Sequence, residues 1–253
     1  MMGWSAGIFS CKGGVGKSLI AANLGAILAR ASGKPTLVID SNSVLGTMNV
    51  LLKAEPQYSW RDLFSVRKEL SWNHIDIAVH SIWEHYYLLS APDSELSNPE
   101  KTAELSKLDE LIAGLKNHFG HVILDGFSLQ NYPGVPFDHL DWNVFVVTPD
   151  LLSMKSTSRY LQSLPNKNQA SGVIINQWFP EAVFTPADVE MILGMPVLGV
   201  LPIDGRSAWR NINLGESVIS GKNHKLKAAL LQLAQVLSAE GYPVNSSSQC
   251  QKN

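Results

Sequence analysis

The sequence predicts an α/β protein built on a doubly wound, mostly parallel sheet with helices on both faces. Three observations lead there. Short runs such as "HVILD", "NVFVVT", "GVIIN" and "PVLGVL" are almost wholly apolar, the pattern of strands covered on both sides. They alternate with longer segments of helical period, and such βα alternation packs as a parallel sheet between two helix layers. The first run also passes into the first helical segment through a glycine-rich turn, "CKGGVGKS".

Strands are expected at residues 7–10, 37–40, 86–90, 122–125, 144–148, 172–176 and 197–201. A helix over 18–32 follows the glycine-rich turn and stops at Gly33 and Pro35, since glycine accepts the left-handed conformation of a helix end and proline cannot extend it. The helix over 98–118 opens "NPE" and closes at Gly120. Asn98 is its cap, and Pro99 takes the first helical position, where a missing N–H costs nothing. A helix over 150–164 stops at Pro165, and one over 185–193 opens "TPAD". The last, over 222–239, sets Leu226, Leu230, Leu233 and Leu237 on one stripe. Residues 53–85 are less regular, rich in Trp, His and Ser, and read as an elaborated connection. No repeat or linker divides residues 1–242, which read as a single domain; residues 243–253 form a polar tail expected to fray.

At 253 residues, 45% hydrophobic and 17% charged, the chain can bury a large core, and global disorder is not expected. A net charge of −2 argues against broad nucleic-acid binding, which needs a basic surface. Cys11 and Cys250 lie at opposite ends, with no disulfide framework or metal spacing, so a reducing cytoplasm is the expected setting. The first residues lack the basic and apolar regions of a signal peptide. No apolar run approaches the ~18 residues of a membrane span; the longest, 19–31, is broken by Asn23 and Arg30. Membrane contact is therefore expected to be peripheral or through a partner. The tail offers no basic amphipathic helix as an anchor.

The glycine-rich turn carries the chemistry. It departs from G-x-x-x-x-G-K-[ST] because Cys11 stands where the first glycine belongs, followed by a second lysine, Lys12. A strand before it and a helix after it are the context that makes a phosphate loop credible. Gly13, Gly14 and Gly16 let the backbone turn tightly and aim successive N–H groups at phosphate oxygens. Lys17 reaches the β- and γ-phosphates, and the Ser18 hydroxyl holds Mg²⁺. Val15 and Leu19 complete the nucleotide-binding stretch, and the helix N-terminus adds positive partial charge. The plainer reading is a glycine-rich turn with its lysines in water.

"KGGVGKS" resembles the deviant Walker A loop of the ParA/MinD superfamily. The resemblance implies a P-loop NTPase fold, ATP and Mg²⁺ as cofactors, and a homodimer when ATP is bound. It assigns Lys12 to the partner subunit's phosphates, a cation supplied in trans to charge developing on the phosphoryl group. In "TLVIDSNSVLG" it places Asp40 at the first acid of a D-x-D pattern, near Mg²⁺ and its waters, and Asn42 at the second, where the attacking water is oriented or activated. An amide can hydrogen-bond a water but cannot take its proton. The implication is ATP binding with slow or absent hydrolysis; the alternative makes Asn42 a loop-capping side chain. In "HVILDGFS" the resemblance makes Asp125 the Walker B acid, touching Mg²⁺ through water, and Gly126 a source of switch mobility. A strand-terminal aspartate is otherwise often a cap or turn residue. "GVIINQW" implies that Asn176 hydrogen-bonds adenine. "LGVLPID" sets Pro202 and Asp204 beside the base, and "NINLGESV" matches an A-x-N-x-G-x-P element through Asn213 and Gly215, with Ser217 replacing the proline.

Within the superfamily, iron-protein cysteines, a tyrosine-rich tail and a membrane-binding helix are missing from the sequence. Its one basic concentration, "KNHKLK" at 222–227, reads as a solvated helix start. "SVLGTMNVLL", "YSWRDLF", "YYLLSAPDS" and "VVTPDLLSMKSTSRYLQSL" are similar to the CpaE/TadZ group, which positions pilus or secretion machinery. That likeness implies a protein partner that reads the dimer and recruits it to the membrane or cell pole, with no specific nucleic acid. Two alternatives stand beside it: an active ParA-type ATPase partitioning DNA or other cargo, and a metabolite enzyme using His74, His80, His85 or His139 near Asp40 and Asp125. The aromatic residues of 53–85 are read either as a partner surface or as cover for the sheet.

Overall fold

When both faces of a sheet are buried, neighbouring residues of each strand must enter opposite helix layers, and the apolar runs of this chain do so. The computed structural model describes residues 3–42, 47–65, 70–93, 98–129, 137–164, 171–215, 217–218 and 224–238. In chain order its elements are β1 (Trp4–Ser10), α1 (Lys17–Ser32), β2 (Thr36–Asp40), α2 (Thr47–Leu52), a 3₁₀ helix (Trp60–Ser65), α3 (Trp72–Ala78), β3 (His80–Trp83) and β4 (Tyr86–Leu89). There follow α4 (Asn98–Leu115), β5 (His121–Ser128), β6 (Trp142–Val147), α5 (Leu151–Ser163), β7 (Gly172–Trp178), α6 (Pro186–Leu193), β8 (Val197–Pro202), α7 (Gly205–Leu214) and α8 (His224–Ser238). The eight strands form one sheet in the order β3-β4-β2-β5-β1-β6-β7-β8. All pairings are parallel except the edge pair β3–β4.

Leu37, Ile39, Val122, Leu124, Phe145, Val147, Val173 and Ile175 enter one layer, against Leu108 and Ile112 of α4, Met154 of α5 and Val189 of α6. Their strand neighbours Val38, Ile123, Val144, Val146 and Ile174 enter the other, against Ile20, Leu24 and Ile27 of α1 and Leu226, Leu230, Leu233 and Leu237 of α8. Each such side chain contributes about 1.5–3 kcal/mol on burial, so these two layers hold the sheet.

All seven expected strands form, with small shifts at their ends. The eighth, β3, went unanticipated because "HSIW" is short and half polar, which an edge strand tolerates. Residues 53–85 are more regular than expected: they carry the 3₁₀ helix, α3 and β3. Ser71 and His74 form a capping box that starts α3. The short helices α2 and α7 also went unanticipated. The polar tail lies outside the described residues, as do the outermost residues of the helix expected over 222–239. Among the described residues no helix is long and apolar enough to cross a membrane.

Asn23 interrupts the apolar stripe of α1 for a structural reason. It is buried, and its Oδ1 accepts from the Ser217 hydroxyl (3.0 Å) and the Val218 N–H (2.8 Å). That bond ties α1 to the segment after α7.

Candidate functional site

The central strands end on one edge of the sheet, and the loops that follow them build the site. This is where open α/β sheets collect ligand-binding groups. After β1 the chain turns through Gly14 (φ 73°) and Gly16 (φ 93°), left-handed values that suit glycine. Gly16 caps α1 without a side-chain hydrogen bond. The first-turn N–H groups of α1 therefore face an anion-binding position.

Lys17 is fastened under this loop. Its Nζ donates to Ser10 Oγ (3.1 Å), and that hydroxyl donates to the Lys12 carbonyl (2.7 Å). Burial pulls the Lys17 ammonium below its ordinary range, opposed by the charges of Asp125 and Cys11. From beneath, Asn176 Nδ2 donates to the Val15 carbonyl (2.7 Å). A Cβ on Gly16 would lie 2.4 Å from the same amide nitrogen, so Asn176 and Gly16 are matched parts of one loop support.

Asp40 and Asp125 are register neighbours on β2 and β5. Asp40 is fully buried; its Oδ1 accepts from the Asn42 N–H (2.8 Å) and its Oδ2 from the Met48 N–H (3.1 Å). The Trp60 indole donates to the Asp40 carbonyl (2.9 Å), fixing the end of β2. Burial raises the Asp40 carboxyl above the usual range. Asp125 is pushed up to about 7, first by burial and then by Asp40, against the pull of the Ser18 hydroxyl and Lys17. Its Oδ1 is buried and has no hydrogen-bond partner among the described residues.

One expectation about this strand needs correction. Asp125 does not end it: β5 continues to Ser128. The pairing moves from Ile8↔Asp125 to Ser10↔Ser128, so β5 carries one extra residue, a bulge. A Cβ on Gly126 would lie 2.4 Å from the Phe9 ring and 2.7 Å from the Ile8 carbonyl. Close packing of the bulge is what requires glycine there.

A cavity of about 490 Å³ opens beside the loop, lined by Gly14, residues 16–19, Thr47, Val50 and Leu51 of α2, and Ile212 of α7. Gly13 is exposed and Val15 buried. Pro202 ends β8, and Asp204 caps α7 by accepting from the Ser207 N–H (3.1 Å). Neither lines the cavity. The Asn213 side chain donates to the Trp209 carbonyl within α7, and Gly215 ends that helix in the left-handed conformation.

Lys12 does not point freely to solvent. Its Nζ lies 3.0 Å from Asp150 Oδ2. Asp150 caps α5 by accepting from the Ser153 N–H (2.9 Å), and it accepts the Thr148 hydroxyl (2.5 Å). Sequence reasoning found Asp150 only as a helix start. It missed Ser10, Trp60 and Thr47 altogether, because no local pattern marks them.

The histidines of the metabolite-enzyme alternative are dispersed. His74 caps α3, His80 lies on the edge strand β3, His85 follows it, and His139 pairs with Asp109. Among the described residues no group of three or more His, Cys, Asp or Glu could hold a metal ion. What converges instead is two carboxylates and the Ser18 hydroxyl beside a phosphate loop. Such hard oxygen donors suit Mg²⁺, which keeps waters and phosphate oxygens in its shell, and the orphaned Asp125 Oδ1 fits that demand.

Known proteins share this fold. The ParA family ATPase from Chlorobium tepidum TLS superposes with a TM-score of 0.80 at 22% identity, covering 92% of this chain and 98% of that one. MinD from Pyrococcus horikoshii OT3, solved in complex with Mg-ADP, gives 0.72 at 21% identity over 94% and 97% of the two chains. By sequence, the septum site-determining protein MinD of Thermotoga maritima is 26% identical, over 94% of this chain and 89% of that protein. Residues 7–209 match the CobQ/CobB/MinD/ParA nucleotide binding domain, and the chain belongs to that family.

Proposed function

We propose that this chain is an ATP-binding, dimer-forming positioning protein of the ParA/MinD type, with slow or absent hydrolysis, that places a pilus or secretion apparatus. The observation that carries the nucleotide reading is the buried, unpartnered Asp125 Oδ1 beside Ser18 and Lys17 of the loop. A carboxylate in that setting calls for a cation. Relatives point the same way: one solved MinD holds Mg-ADP, and another, from Aquifex aeolicus, was solved in complex with MinC. The pilus or secretion assignment rests on the CpaE/TadZ likeness of the middle of the chain.

In this reading the N–H groups of residues 13–19 cradle the phosphates, with Lys17 on the β- and γ-phosphates of its own subunit. Ser18, and Asp40 and Asp125 through water, would hold Mg²⁺, which supplies positive charge against the phosphates. Lys12 leaves Asp150 and serves the nucleotide across the dimer. Asn42 orients a water but takes no proton from it. ATP then favours the dimer that a partner reads, and the dimer persists because hydrolysis is slow. The family resemblance assigns Asn176, Pro202 and Asp204 to the base side; here Asn176 holds the Val15 carbonyl, and Pro202 and Asp204 do not line the cavity.

Calorimetric titration with Mg-ATP, and sizing with ATP and with ADP alongside Lys12→Ala, test the proposal. Binding, and an ATP-dependent dimer that Lys12→Ala loses, are expected. No ATP binding overturns the reading; steady turnover at ordinary enzyme rates overturns its hydrolysis half. A salt-sensitive, ATP-dependent DNA shift would replace it with DNA partitioning.

A further inference from the structure

We propose that Thr47 is a further ligand of the nucleotide's phosphate chain, donating its hydroxyl to a phosphate oxygen once the site is filled. The inference rests on the nucleotide reading above. Thr47 opens α2 and lines the 490 Å³ cavity together with Lys17 and Ser18. Its Oγ1 is nonetheless shielded from solvent and has no hydrogen-bond partner among the described residues. A hydroxyl can reach a backbone group, another side chain or water with little difficulty, so a buried one left without a partner signals a function made elsewhere.

The geometry supplies that function. Thr47 lines the cavity while its Oγ1 is hidden, so the open space is met by its other atoms. Rotation of about 120° about χ1 exchanges methyl and hydroxyl between staggered wells. Such a turn would carry the Oγ1 toward the cavity that Lys17 and Ser18 also line. The next residue fixes the backbone: the Met48 N–H is held by Asp40 Oδ2 at 3.1 Å. Asp40 is in register with Asp125. One of the carboxylates that would answer to Mg²⁺, Asp40, therefore holds in place the residue beside Thr47.

Thr47→Val keeps the shape and removes the hydroxyl; Thr47→Ser keeps the hydroxyl. Calorimetric titration of wild type and both variants with Mg-ATP, Mg-ADP and AMP, and thermal unfolding without ligand, give the test. Thr47→Val is expected to weaken Mg-ATP binding about tenfold or more, as for a lost hydrogen bond to a charged group, while Thr47→Ser stays within about threefold. The loss disappears in the series below the last phosphate that the hydroxyl touches. Without ligand, Thr47→Val should melt at the wild-type temperature or about 2–4 °C above it, because an orphaned hydroxyl has been removed. Wild-type affinity for both Mg-ATP and Mg-ADP in Thr47→Val overturns the inference. A lowered melting temperature without ligand also overturns it, since the hydroxyl would then be a structural group. Failure of wild type to bind any of the nucleotides overturns the nucleotide reading itself.

Discussion

The cis contact between Lys12 and Asp150 gives the sharpest handle on the proposed dimer. For Lys12 to act in trans, its 3.0 Å pair with Asp150 must open in both subunits. The side chains are 35% and 42% exposed, so water screens the attraction, and the pair is worth about 0.5–1 kcal/mol. Two such pairs oppose dimer formation by about 1–2 kcal/mol, a factor of roughly 5–30 in the association constant. Asp150 has a second duty, the cap on α5 through Ser153. Asp150→Asn separates the two, because Asn caps a helix as well as Asp but carries no charge. We expect Asp150→Asn to keep the melting temperature within about 2 °C of wild type and to tighten the ATP-dependent dimer roughly 5- to 30-fold. Asp150→Ala should lose the cap as well, costing about 1 kcal/mol. Sedimentation across a concentration series with ATP measures the association constant, and a thermal melt measures the cap. An Asp150→Asn dimer no tighter than wild type, in protein with an unchanged melt, would refute a cis restraint on Lys12.

Three further outcomes follow from the same geometry. Asn42→Asp supplies a proton acceptor two residues from Asp40, and phosphate release should rise about 10²–10⁴-fold; an unchanged rate would show that Asn42 is not the limiting group. Gly16→Ala puts a Cβ at φ 93° and 2.4 Å from Asn176 Nδ2. Strain and the broken Asn176–Val15 bond together cost about 2–4 kcal/mol, read as a lower melting temperature, and a drop under 2 °C would contradict that packing. His121 is buried against Thr36, and burial, then the charge of Lys34, lowers its pKa from 6.5 to about 4. The unfolded chain binds its proton first, so stability falls as pH drops from 6.5 toward 4, by about 3 kcal/mol over the window. Denaturant titrations at several pH values should show that slope in wild type and its loss in His121→Gln.

The phosphate loop, its strand and its helix were legible because their signals are local. Three glycines, a lysine and a serine lie within six residues of "GGVGKS", and the elements on either side have clear periods. The parallel strands were legible because burial on both faces removes nearly all polar residues. The edge strand β3 escaped notice for the opposite reason: only one neighbour and one covered face constrain it.

The meaning of individual side chains came from tertiary structure. Lys12 and Asp150 are separated by 138 residues. They meet because β1 and β6 are neighbours in the sheet, in register at Phe9↔Phe145, and their loops leave the same edge side by side. The β2–β5 pairing likewise brings Asp40 beside Asp125, whose carboxyl is raised by burial and then by that neighbour. Gly126 gained a packing reason only once the bulge against Phe9 was seen. By itself the sequence determined the α/β class, the phosphate loop and the acids near it, since each rests on residues adjacent along the chain. Strand order decided which of those groups touch, because sheet neighbours are chosen by the crossovers of the whole chain rather than by any local pattern.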